Sequence, residues 1–140
     1  MRLTDDDLRK IQEYFASQKD VVAVYLYGSF ASGNPHSGSD LDVAVLFDGE
    51  VNLYDRLGSL YSEFPELSIK VEPEVRNINL KDSPVFLMNV IQGKNVYSKD
   101  EVKRIEFEVA VMREFYDTQR LRDIDYAYMK QRIREGTYGY

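Results

Sequence analysis

GSFASGNPHSGSDLDVAV, residues 28–45, is the stretch on which the reading of this chain turns. Before it lies VVAVYLY, residues 21–27, a short β-branched and aromatic run that reads as a buried strand. The run stops at Gly28-Ser29, and Gly33, Pro35 and Gly38 then stand too close together for any regular element. Residues 40–47, DLDVAVLF, resume an extended pattern and form the next strand candidate. The stretch is therefore a strand end, a loop and a strand start.

Two features inside it carry chemistry. Asp40 and Asp42 are two positions apart at the start of a strand. At a rise of roughly 3.3 Å per residue, side chains i and i+2 leave the same face about 6.6 Å apart along the chain. Carboxylates so placed can converge on hard cations: Mg²⁺ takes one or two carboxylates with water and substrate phosphates, and two-metal sites hold their ions about 3.5–4 Å apart. Asp is also common in turns, so the pair alone reads more readily as a turn cap at Asp40 and a solvated strand residue at Asp42. Against that, Asp42 is set among Leu41, Val43, Ala44, Val45, Leu46 and Phe47, where an unpaired carboxylate is costly. The second feature is Gly28-Ser29, where a glycine admits close approach of a ligand and a serine at a new turn offers a hydroxyl and amides to phosphate. By itself Gly-Ser occurs at countless turns.

Outward from this centre the chain alternates element types. LTDDDL opens a helix, with Thr4 as N-cap, Asp7 at N3 and Leu3 and Leu8 as a hydrophobic staple; Leu8, Ile11 and Phe15 form its apolar face. Leu53, Leu57, Leu60 and Phe64 recur at helical spacing until Pro65. LSIKVE and EVRNINL, within residues 67–80, look extended, with Pro73 interrupting them as an edge or a bulge. Ser83-Pro84 starts a helix that runs through Ile91 and closes at Gly93, and a short strand follows around Asn95 to Tyr97. From Asp100 to about Arg134 the period is helical, with Val102, Ile105, Val109, Met112 and Tyr116 on one stripe. The stripe loses register across DTQRLRD and resumes at Leu121, Ile124 and Tyr128, or at Met129 and Ile133, which predicts a bend or two helices. The alternation argues for a small α/β or α+β domain.

Composition sets limits on function. The 140 residues, 44% hydrophobic, suit one compact core. There is no cysteine, which excludes disulfides, thiolate metal sites and thiol nucleophiles and agrees with a reducing cytoplasm. No apolar run has the length of a signal peptide or a membrane span, so a soluble, cytoplasmic protein without a membrane partner is expected. The formal net charge of -6 disfavours direct nucleic-acid binding, which relies on Lys and Arg neutralising phosphates.

Taken together, GS, ten intervening residues and DxD, with a strand on either side, resemble the signature of the DNA polymerase β-like nucleotidyltransferase superfamily. The short chain resembles its minimal nucleotidyltransferase (MNT) members, the likeness covering roughly residues 20–97. SPVFLMNVIQGKNVYSKD is similar to that family's closing helix and strand, and RIEFEVAVMREFYD to the tail of MNT proteins that accompany HEPN-domain partners in toxin-antitoxin pairs. The resemblance implies an α+β fold, a small mixed sheet packed with helices, over residues 1–98, with a C-terminal helical extension at 99–140 in the same structural unit.

It also implies roles. Gly28 and Ser29 would hold the triphosphate, and Asp40 and Asp42 would bind two Mg²⁺ ions. A third carboxylate on a neighbouring strand would complete the metal set and activate the acceptor hydroxyl. Glu74 fits that place by counting back from INLKDSP, with Glu72 the alternative of equal strand parity. The family more often has Asp there. The activity implied is transfer of AMP from ATP to a protein tyrosine, the chain acting as the antitoxin that modifies a HEPN ribonuclease toxin, alone or within an oligomer. Two other readings stand beside it: an adenylyltransferase for a small antibiotic-type acceptor, whose relatives carry a larger second domain, and a silent module that neutralises a toxin by contact. His36 reads as a surface loop residue; Arg76, Lys70 and Lys81 are phosphate candidates that spacing does not single out. Of the eleven tyrosines, Tyr126, Tyr128, Tyr138 and Tyr140 fall near the C-terminus and read as packing residues before interface or acceptor residues.

Overall fold

The computed structural model describes residues 3–28, 40–67, 69 and 71–136. The first helix, α1 (Asp5–Ala16), starts as its sequence dictates: the Thr4 side chain accepts from the Asp7 amide and the Asp7 carboxylate accepts from the Thr4 amide, the reciprocal box that satisfies two otherwise orphaned donors. Ile11 and Phe15 are its buried residues. Strand β1 (Val21–Tyr27) follows, then β2 (Leu41–Phe47), α2 (Leu53–Glu63) and a 3-10 turn over Phe64–Leu67. The chain continues through β3 (Pro73–Asn77), α3 (Pro84–Ile91), β4 (Lys94–Ser98), α4 (Glu101–Asp117) and α5 (Gln119–Arg134).

Among the described residues the strands form one sheet in the order β3-β2-β1-β4. β1 is antiparallel to both β2 and β4, whereas β2 and β3 run parallel, with α2 in the crossover between them. Helices cover both faces. Ile11, Phe15, Leu60 and Phe64 meet Val24, Leu26, Val43, Val45 and Val75 on one side. Leu87, Val90, Phe107 and Val111 meet Ala23, Tyr25, Tyr27 and Ala44 on the other. That sandwiching explains why all seven residues of β1 are buried and why its sequence reads as an unbroken apolar run.

Polar ties fasten the helices at chosen points. Arg56 of α2 donates from Nε and Nη2 to both carboxylate oxygens of Asp20 at 2.6 and 2.9 Å, and Tyr14 of α1 donates to Glu63 at 2.7 Å. On the opposite face the Tyr25 hydroxyl donates to Glu108 at 2.7 Å and Arg104 holds the same carboxylate at 2.6 Å. Burial and the Glu108 charge both push the Tyr25 phenol well above its ordinary value, so it remains a donor. Gly93 is required by proximity: a Cβ there would lie 2.3 Å from the Leu26 carbonyl oxygen, so only glycine lets α3 return to β4 this close to β1.

One expectation is corrected. Pro73 does not interrupt two extended pieces. It opens β3, a position at an edge-strand start where its missing N–H costs nothing, and LSIKVE contributes no strand among its described residues. As the sequence predicts, α2 stops ahead of Pro65: it ends at Glu63 with Phe64 as its C-cap, and a 3-10 turn over Phe64–Leu67 follows. The stripe Val102, Ile105, Val109, Met112 and Tyr116 is helical but faces outward, and Phe107 and Val111 of α4 enter the core instead. The break across DTQRLRD resolves as two helices, α4 and α5, meeting at Thr118. No helix among the described residues is long and apolar enough to cross a membrane.

Candidate active site

Strand register assembles the site. Tyr27 of β1 stands opposite Asp42 of β2, and Asp42 stands opposite Glu74 of β3, so one row crosses three strands. One step further in, the row is Tyr25, Ala44 and Arg76. Asp42 and Leu46 are the two positions of β2 left partly open while their neighbours are buried. Asp42 therefore shows its carboxylate on the α3 side of the sheet, the side of Ala44. Asp40 lies exposed just before β2, and Glu74 is exposed on β3, an edge strand.

Gly28 closes the row. It follows Tyr27 with φ +75°, in the region that favours glycine, and a Cβ there would come within 2.3 Å of Asp42 Oδ2. The backbone at the end of β1 thus runs directly beside the carboxylate, leaving no side chain between them.

The electrostatics are those of uncompensated acid. Burial, the Glu74 charge, the Asp40 charge and a hydrogen bond shared with Glu74 all raise the Asp42 carboxyl above its ordinary value of 3.8. Tyr27 is raised by burial first and by Asp42, with Arg76 acting in the opposite sense. The Arg76 guanidinium lies 4.1 Å over the Phe86 ring, and Phe86 packs edge-to-face on Tyr27 at 5.7 Å. An aromatic wall capped by one cation therefore borders the acidic pair.

Among the described residues no group of three His, Cys, Asp or Glu side chains closes into a ready cage for a metal ion. What the structure supplies is an all-oxygen donor set in which the Glu74 and Asp40 charges raise the proton affinity of Asp42. A divalent cation of the Mg²⁺ type would relieve that repulsion, and such ions complete their shells with water and substrate phosphate rather than protein ligands alone. The donor set fits such an ion.

Of the residues singled out from sequence, Asp42, Glu74 and Gly28 come together, and Asp40 stands at the mouth of the same strand. Glu72 precedes β3, and its carbonyl accepts from the Leu41 amide at 2.8 Å. It is Glu74 that pairs with Asp42. Ser29 and His36, with the rest of 29–39, and Lys70, Tyr138 and Tyr140 lie outside the described residues. Tyr27 and Phe86 were not singled out beforehand, and Arg76 was named without a reason. Their signal was parity: Arg76 follows Glu74 by two, and Tyr27 immediately precedes the glycine. A cavity of about 550 Å³, lined by Leu46, Val51, Ile78, Leu80 and Phe107 among others, opens at the far end of β2; Lys81 lines it, but Gly28, Asp40, Asp42 and Glu74 do not.

Comparison with known proteins agrees with this architecture. Residues 9–102, more than half of the chain, match the family model described as Polymerase beta, Nucleotidyltransferase. Among solved structures, a chain of a toxin-antitoxin complex with AMP-PNP superposes with a TM-score of 0.66 at 19% identity, over 91% of this chain and 98% of that one. A chain from the complex of tri-AMPylated Shewanella oneidensis HEPN toxin with MNT antitoxin gives 0.58 at 15%, over 91% and 98%. One from a toxin-antitoxin MntA-HepT structure gives 0.58 at 16%, over 91% and 97%. At these identities the likeness is one of fold.

Proposed function

Because the chain belongs to the polymerase beta nucleotidyltransferase family, we propose that it transfers AMP from ATP to a tyrosine hydroxyl of a HEPN-type ribonuclease toxin, acting in the cytoplasm as that toxin's antitoxin. The observation that carries the reading is the three-strand row in which Asp42 and Glu74 face each other beside a glycine that leaves the approach open. The fold neighbours add to it, one being a toxin-antitoxin complex with AMP-PNP and another containing a tri-AMPylated HEPN toxin.

In this reading the acceptor oxygen bonds to the α-phosphorus of ATP while the bond to pyrophosphate breaks. Magnesium, held by Asp40, Asp42 and Glu74, would lower the acceptor's pKa and offset charge on the leaving oxygens. Glu74, exposed on the edge strand, takes the hydroxyl proton on its carboxylate. The bare backbone at Gly28 lets the triphosphate lie against the end of β1, and Ser29 binds it. Asp42 orients the reacting centre from its partly open place beside the buried Tyr27, on which Phe86 packs.

The test is transfer of labelled AMP from α-labelled ATP to a HEPN partner with Mg²⁺ present. Label should move with the wild-type chain and not with Asp42→Ala. If no label moves with the partner and magnesium present, the proposal is wrong.

A further inference from the structure

Arg76 follows Glu74 by two residues on the same face of β3, one row deeper in the sheet than the carboxylates. Gly28 lies beyond their row in the other direction, just past Tyr27. A triphosphate against the end of β1 and a ligand on Arg76 therefore flank the acidic pair from opposite sides. Glu74, the group that takes the acceptor's proton in the function proposed above, shares its strand with Arg76.

The neighbour of Arg76 on β2 is Ala44, buried and small, which leaves room for the longer side chain to lean toward α3. There its guanidinium lies 4.1 Å over the Phe86 ring, and Phe86 is itself braced edge-to-face on Tyr27. A guanidinium is planar and has two faces, of which Phe86 covers one. Arg76 is nevertheless an exposed residue. It enters no salt bridge among the described residues, although Glu74 and Asp42 both stand in the adjoining row. The charge is thus held by an aromatic ring and is not taken up by the acids beside it. A flat cation fixed in this way is a platform on which a second ring can lie, since arginine stacks on aromatic faces.

We propose that the free face of Arg76 receives the phenol ring of the acceptor tyrosine and lays its hydroxyl beside Glu74, so that the Phe86–Arg76 stack selects an aromatic acceptor over serine or threonine. The inference rests on the AMP-transfer reading and adds to it the subsite that chooses the hydroxyl. Residues i and i+2 of a strand are about 6.6 Å apart along the chain, a span that a phenol ring with its hydroxyl bridges and the one-carbon arm of serine does not. Because Phe86 already holds the guanidinium, little side-chain freedom is lost when the acceptor ring arrives.

The experiment has two arms, both on the full chain with Arg76→Ala and Arg76→Lys, which replace an exposed side chain and should leave the fold intact. In the first, N-acetyltyrosinamide at about 1–10 mM is offered without nucleotide, metal or partner, and binding is read by saturation-transfer NMR against N-acetylserinamide. Wild type should mark the tyrosine ring and not the serine amide, and Arg76→Ala should lose most of that signal. Equal signals from the two chains, or none from either, overturn the proposal. The second arm is steady-state AMP transfer to the HEPN partner. Arg76→Ala should lower kcat/KM for the partner at least about tenfold while KM for ATP stays within about twofold. An equal rise in KM for ATP puts Arg76 on the nucleotide and overturns the proposal. Arg76→Lys keeps the charge and loses the plane, so it should recover only a minor part of the loss, and full recovery overturns the stacking. A wild type that binds the tyrosine amide through Arg76 but transfers no label leaves this subsite standing and removes the AMP-transfer reading, so the two fail separately.

Discussion

Asp42 pits stability against chemistry at a single atom group. Its carboxyl is raised by burial, then by Glu74 and Asp40, so the fold favours the protonated form. Stability from this group is fully present below the ordinary value of 3.8 and is lost as pH rises through the raised one. Asp42→Asn cannot ionise and escapes that loss. It should melt higher than wild type at neutral pH by less than about 1 kcal/mol, solvent screening the partly open group, and the difference should shrink as pH falls toward 3.8. Millimolar Mg²⁺ should raise the wild-type Tm and leave the variant unmoved; equal shifts in calorimetry would remove the metal from this site. At this scale the acidic pair and Gly28 were legible, because spacing and a glycine at a strand end are local signals. The Tyr27, Phe86 and Arg76 cluster was not, since it exists only once three strands and α3 are in register.

Elements were readable where their ends are chemically marked. Thr4 and Asp7 announce α1, and Ser83-Pro84 announces α3, although the Ser83 side chain makes no capping hydrogen bond. β3 was misread because alternation continues through residues that have no strand to pair with. The ladder on β2 begins where Leu41 meets Pro73, and the chain before it is taken up by a 3-10 turn. β3 is an edge strand, and Tyr61 of α2 guards it: the Tyr61 hydroxyl accepts from the Val75 amide at 2.8 Å and donates to the Val75 carbonyl at 3.3 Å. Tyr61→Phe leaves both groups unpaired and should cost about 1–3 kcal/mol in urea denaturation. Glu74 is the preceding residue, so AMP transfer should fall more steeply than the loss of stability alone explains. Unchanged transfer would mean that β3 keeps its place without this clamp.

For the molecule as a whole, hydrophobic periodicity told that α4 and α5 are helices but not which side faces inward. The core is completed by Phe107 and Val111, whereas the more regular apolar stripe of α4 and every residue of α5 lie outside it. Periodicity reports a helix that prefers company and is silent on whether that company is its own chain. The consequence is measurable: Phe107→Ala should cost about 3–5 kcal/mol by opening a cavity, while Leu121→Ser and Ile124→Ser should each stay within about 0.5 kcal/mol. Equal losses at all three positions would mean that α5 is packed. The parallel pairing of β2 with β3 has a further consequence, in time rather than space. Asp42 and Glu74 belong to strands that α2 must bridge before they can meet, whereas β1 and β2 follow one another directly in the chain order. Closing that loop carries an entropic cost that is met only when the crossover helix docks. A chain emerging from synthesis therefore builds its antiparallel hairpin first and acquires its repelling carboxylate pair last, so a half-made copy carries Asp42 and the glycine beside it before Glu74 is in place.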